Sequence, residues 1–270
     1  TGYFIPISVP VMDLSAASET ADTTYYDMIH KDCQKDEAAD FRVKKYQLDF
    51  SVGLNLTGSA KVYVDRSELK SYRFTLYHGY KVKQVTDQTG AALDFRREYD
   101  YVTVTRGGAA VEYLCLEYTG KSPKYYSSYA GVCLPANFAY YPIPGYRELF
   151  SDNFYGFIDC SLPYDTAFDV RCSGRKQMYC NLAARGDNHF AGNARSITLL
   201  SGYYDTLKLN NTLVVYPKYA DGEIRARIKK NMGTFTKQHR DIRTIFIMGA
   251  DNLTPYEHLR SYDGYVVTNS

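Results

Sequence analysis

The side chains able to do chemistry are scattered. None of the five histidines, His30, His78, His189, His239 and His258, has a second at the i, i+4 spacing that sets two imidazoles on one helix face. The nearest fragment, "YEHLR", places Glu257 before His258, the reverse of H-E-x-x-H and without its second histidine. No resident metal or other cofactor is therefore expected in this chain. G-x-S-x-G is absent, "RGGAAVE" follows no dinucleotide-binding pattern, and "ARGDNHFAGN" lacks the lysine of a phosphate loop. Asp152, Asp159 and Asp165 read as exposed loop carboxylates.

Six cysteines, Cys33, Cys115, Cys133, Cys160, Cys172 and Cys180, stand at wide spacings with no C-x-x-C, which argues against a zinc knuckle or a thioredoxin-type site. Cys172 and Cys180 flank the polar stretch "SGRKQM", which reads as the turn of a hairpin. They are the candidates for a disulfide, with buried free thiols as the alternative. One aromatic cluster stands out: Tyr125, Tyr126, Tyr129, Tyr140, Tyr141 and Tyr146. Such rings offer a large contact area at little entropic cost, so they could stack a sugar or grip a peptide. The same rings could line the seam between two domains, and the seam is the preferred reading.

These residues need a scaffold, and composition bounds it. With 45% apolar and 23% charged residues over 270 positions, the chain can bury a sizeable core. A formal charge of +2 leaves no general basic surplus for nucleic acid. Tyrosine is abundant, 28 residues beside 13 Phe and no Trp, as suits half-buried pleated surfaces. Residues 1–40 form a lead-in, extended and partly helical. From Val43, "VKKYQLDFSVGLNLTGSAKVYV" alternates apolar and polar residues with period two. Strands follow at "YRFTLYH", "YKVKQVTD", "AALDFRREYDYVTV", "VEYLCLEYTG", "TAFDVRC", "KQMYCNL" and "SITLLSG", with "TDQTG" as a tight turn.

From residue 206 the order becomes β-α-β. "TLVVYP" and "RTIFIMGA" are strands, and between them Ile224, Ile228, Met232 and Phe235 form one helical stripe that Asp221 could cap. The fold class expected is mainly β: an antiparallel sandwich or saddle over 41–205, then an incomplete α/β segment over 206–270. No apolar run reaches the roughly 18 residues that span a bilayer. The non-Met start and the strand-like end suggest a piece of a longer protein.

In order along the chain, several short runs resemble the amino-terminal domain of zinc aminopeptidases of the aminopeptidase N and leukotriene A hydrolase type. They are "VKKYQLDFSVGLNLTGSAKVYV", "LEYTGKSP", "YYPIP", "FDVRC", "KQMYCNL" and "LLSGYY". "TLVVYP" and the following helix resemble the start of that family's thermolysin-like domain. "GYVVTN" falls near its substrate-binding Gly-x-Met-Glu-Asn strand but lacks the Met and the Glu. Where those enzymes carry a Pro-Cys-x-Asp-x-Pro loop, this chain has "PIPGYRELFSD". In that respect it is similar to the peptidase-like extracytoplasmic parts of bacterial ABC-type permeases.

The resemblance implies a non-catalytic extracytoplasmic domain that acts by protein or ligand contact. Its partners would be the rest of its own chain, membrane helices and an ATPase subunit. The alternative it implies is the substrate-shaping part of a zinc aminopeptidase, with zinc held by a catalytic domain elsewhere. A sugar-binding β-module using the tyrosines is a third possibility.

Overall fold

Period-two alternation over residues 43–64 becomes a hairpin, β1 (Val43–Val52) and β2 (Asn55–Val64), with Tyr46, Leu48, Phe50, Leu56, Ala60 and Val62 buried. The computed structural model describes residues 35–122, 131–136, 139–149, 159–218, 220, 222–248 and 259–269. In chain order the next strands are β3 (Ser71–Thr75), β4 (Tyr80–Thr86), β5 (Phe95–Glu98), β6 (Tyr101–Thr105) and β7 (Tyr113–Lys121). Then come β8 (Gly131–Leu134), β9 (Ile143–Pro144), β10 (Thr166–Ser173), β11 (Met178–Cys180), β12 (Ala183–Gly186) and β13 (His189–Ala194). β14 (Leu199–Gly202), β15 (Tyr204–Leu209) and β16 (Thr212–Pro217) precede helix α1 (Gly222–Gln238). β17 (Thr244–Met248), β18 (Leu259–Tyr262) and β19 (Tyr265–Asn269) close the chain.

The strands form four sheets. A seven-stranded sheet has the order β12-β13-β10-β1-β2-β7-β4. Its strands are antiparallel except where β1 runs parallel to β10, so the sheet expected to be antiparallel is mixed. A four-stranded sheet, β5-β6-β3-β9, and a three-stranded sheet, β11-β14-β8, contribute to the same core as the inward face of the large one. Phe74, Val102, Val104, Leu114, Leu116 and Leu199 are among its members, each almost fully buried. Burial of side chains of this size contributes about 1.5–3 kcal/mol apiece.

The three-stranded sheet is covered twice. Every residue of β8 and of β14 is buried, because Cys133 and Leu200 turn away from the first core to pack with Val215, Phe246, Met248 and Val267. Those four belong to the five-stranded sheet β15-β16-β17-β19-β18. Its opposite face, Val214, Ile245, Ile247 and Val266, carries α1 through the expected stripe Ile224, Ile228, Met232 and Phe235. The central strand β17, "TIFIM", is buried throughout, as a strand covered on both faces must be. β16 and β17 are parallel, which fits the β-α-β order. The proposed cap Asp221 lies outside the described residues.

Two local features fix the register. The "TDQTG" turn is closed by the Asp87 carboxylate, which accepts from the Thr89 and Ala91 amides at 2.8 and 3.1 Å, while Gly90 takes φ +84°. On β2, a Cβ at Gly58 would fall within the ring of Tyr118, so only glycine lets β2 lie over that buried phenol.

The expected hairpin joining Cys172 to Cys180 does not form. β10 pairs with β1 and β13, whereas β11 pairs with β14, so the residues between them carry the chain from one sheet to another. Both cysteines are free thiols.

Candidate functional site

The inward residues of the large sheet leave their polar neighbours on its open face. Register aligns them into a row across the sheet: Arg171 opposite Asp49, Asp49 opposite Ser59, Ser59 opposite Glu117. A second row runs Ser173, Ser51, Thr57, Thr119. Small hydroxyl side chains in the middle and long charged ones at the margins leave a groove of about 360 Å³, within the range of small-molecule sites. Lys83 of β4 and Arg171 of β10 stand at its two ends, and Phe50, Gly58, Tyr118 and Cys172 form its floor.

The groups in this groove are geared to hydrogen bonding. Thr57 Oγ1 and Thr119 Oγ1 are 2.9 Å apart, and Ser173 Oγ donates to the Phe50 carbonyl at 3.3 Å. Ser59 Oγ lies 3.5 Å from Cys115 Sγ. Among the described residues Asp49, Glu117 and Lys83 form no ion pair, and Arg171 approaches only Asp169, at 4.0 Å. Across the face the two carboxylates therefore stand inside the two cations, with hydroxyl groups between them. Asp49 and Glu117 stand two strands apart, about 10 Å, too far to share a proton. The arrangement suits binding of a polar chain better than acid-base chemistry.

The tyrosine cluster lies elsewhere. Tyr140 and Tyr141 are buried in the core, their rings 5.0 Å apart and edge-on, and Tyr141 also meets Tyr46 edge-on at 5.4 Å. Tyr140 OH donates to the Ile197 carbonyl at 2.8 Å. Burial pushes both phenols well above their usual pKa. Neither ring is available to stack a sugar. Tyr146, also buried, packs 4.7 Å from Tyr101, with the Lys35 ammonium over both rings, and its backbone bridges to Glu37. Tyr125, Tyr126 and Tyr129 fall outside the described residues.

The junction between the β-rich portion and the five-stranded sheet is built on a residue the sequence did not flag. Tyr265 OH accepts from Thr198 Oγ1 at 3.2 Å and lies 3.1 Å from Ser196 Oγ. Asn181 braces both: it accepts from the Thr198 amide at 2.8 Å and donates to the Ser196 carbonyl at 3.1 Å. The signal available was a lone tyrosine in a β-rich run, which is indistinguishable from its neighbours.

No constellation of three His, Cys, Asp or Glu side chains able to hold a metal occurs among the described residues. His78 pairs with Asp100 and His189 with Asp169, each at 2.9 Å, one imidazole to one carboxylate. "GYVVTN" forms β19, an inner strand between β17 and β18, so β18 is the sheet edge. Neither strand carries a carboxylate.

No protein-family profile matches the sequence, and no curated protein matches it. Solved structures do. Native leukotriene A4 hydrolase from Saccharomyces cerevisiae superposes with TM-score 0.58 at 10% identity, over 85% of this chain and 41% of the enzyme. The fold is that of the amino-terminal part of such peptidases. An aminopeptidase N family protein from Idiomarina loihiensis gives TM-score 0.54 at 8% identity, over 83% of this chain and 42% of that one. A variant of an M1 zinc metallopeptidase from Deinococcus radiodurans gives 0.50 at 13%, over 86% and 61%. The chain thus spans less than two thirds of each of these proteins.

Proposed function

We propose that this chain is a non-catalytic contact domain built on a peptidase-type fold, and that the groove on its seven-stranded sheet is the contact surface. In this reading it is the extracytoplasmic portion of a membrane permease. Membrane helices are supplied by the rest of the protein and driving force by an ATPase subunit. The observation that carries it is the groove, where Asp49, Glu117 and Lys83 form no ion pair among the described residues and stand beside a patch of small hydroxyl side chains. The missing Glu on β18 and β19 supports it further, since the strand that would recognise a peptide amine has no anion to offer.

The solved structures favour a second reading, the substrate-shaping part of a zinc aminopeptidase, because the proteins that share the fold are such enzymes. The full-length protein separates the two. Purified from membranes, it is expected to hydrolyse no aminoacyl substrate and to bind no stoichiometric zinc. Turnover with one zinc per chain would establish the peptidase instead. Location is tested in intact cells: a cysteine placed at exposed Leu54, between β1 and β2 and outside the groove, should react with a membrane-impermeant maleimide, and protection until lysis would place the domain inside.

A further inference from the structure

Charge in this molecule is concentrated on one element. Residues 222–243 hold seven Lys and Arg against Glu223 and Asp241, a surplus of five, where the whole chain has a surplus of two. On α1 the apolar stripe faces the sheet, so Arg227, Lys229, Lys230 and Lys237 are exposed, and Arg240 and Arg243 extend the field beyond the helix. Arg225 is the one neutralised, by Asp205 at 3.1 Å. Arg227, Lys229, Lys230 and Lys237 form no ion pair among the described residues. Ala226 and Gly233 lie between the cations and add no bulk, so a flat anionic surface can approach the helix backbone closely.

We propose that the exposed face of α1 seats the domain on an anionic phospholipid surface. Clustered cations on long, mobile stems match a diffuse layer of phosphate headgroups, and clustered Lys and Arg are drawn to an anionic membrane surface by its negative potential. Nucleic acid is the weaker match. The only aromatic residue of the helix, Phe235, packs toward the sheet, so none is free to stack a base. The choice of a bilayer over another polyanion rests on the extracytoplasmic reading above. The charge surplus does not depend on it.

The test is flotation of the 270-residue chain with lipid vesicles. With about one third phosphatidylglycerol in phosphatidylcholine it should bind at low salt, and pure phosphatidylcholine should not retain it. Raising salt from about 0.1 M to about 1 M, which shortens the screening length from about 10 Å to about 3 Å, should release it. Combined Arg227→Glu, Lys230→Glu and Lys237→Glu should weaken binding at least about tenfold with an unchanged melting curve. The corresponding Lys230→Arg and Lys237→Arg chain should bind as the parent does. Equal binding by the charge-reversed chain, or no binding by the parent, overturns the proposal. Tighter binding to a single-stranded RNA oligomer than to vesicles also overturns it, in favour of nucleic acid. Peptidase activity of the full-length protein would remove the permease reading and leave the vesicle result standing, so the two can fail separately.

Discussion

Single side chains in this protein are tuned by burial more than by charge. Tyr46, Tyr80, Tyr118, Tyr140 and Tyr141 have phenols raised well above their usual range, chiefly by desolvation. Burial likewise pushes the thiols of Cys160, Cys172 and Cys180 up to about 12. The sign follows from proton counting. Near neutral pH all these groups are protonated in both states; above about pH 8 the unfolded thiols, and above about 9 the unfolded phenols, release protons that the folded chain keeps, so stability falls. The urea midpoint should begin to fall as pH passes about 8 and drop more steeply above about 9, with the phenolate absorbance of the buried tyrosines appearing as a late step that coincides with unfolding. A titration in which every tyrosine ionises ahead of unfolding would contradict the buried placement. Tyr140→Phe strands the Ile197 carbonyl and should cost about 1–2 kcal/mol in chemical denaturation. Gly58→Ala forces a methyl into Tyr118 and should cost about 1–3 kcal/mol. The sequence showed "AYYPIP" as aromatic but not as core, because a tyrosine that hydrogen-bonds a carbonyl 57 residues away leaves no local trace.

Elements were more legible than neighbours. Alternation located β1, β2 and β7, and the stripe from Ile224 to Phe235 located α1, because both patterns repeat within a few residues. The parallel pairing of β1 with β10 repeats nowhere locally, and the groove depends on it. Its lining comes from β1, β2, β4, β7 and β10, each contributing ordinary polar alternates whose meaning appears only once the strand order is known. Helix α1 offers a cleaner check of local rules. Gly233 sits mid-helix with open space where a Cβ would go, so Gly233→Ala should raise stability by about 0.5–1 kcal/mol in thermal or urea unfolding. A loss would mean that the helix bends there.

At the scale of the whole molecule the three-stranded sheet is a shared middle layer. Its residues Cys133 and Leu200 belong to the contact with the five-stranded sheet, and Val132, Leu134 and Leu199 to the main core. A chain ending at residue 205 would bare that layer and should self-associate in light scattering, whereas the parent stays dispersed. Tyr265→Phe weakens the same junction without exposing it, and should lower the melting temperature while keeping a single transition.

The parallel β1–β10 pair also has a consequence in time. Thr166 Oγ1 donates to the Val43 carbonyl across 123 residues of chain. A ribosome adding about 5–20 residues per second therefore leaves that edge of β1 unpaired for roughly 6–25 seconds after it emerges. During that interval an apolar hairpin edge is open to strangers, and the nascent chain depends on a chaperone, or on slow local collapse, to reach its own partner first.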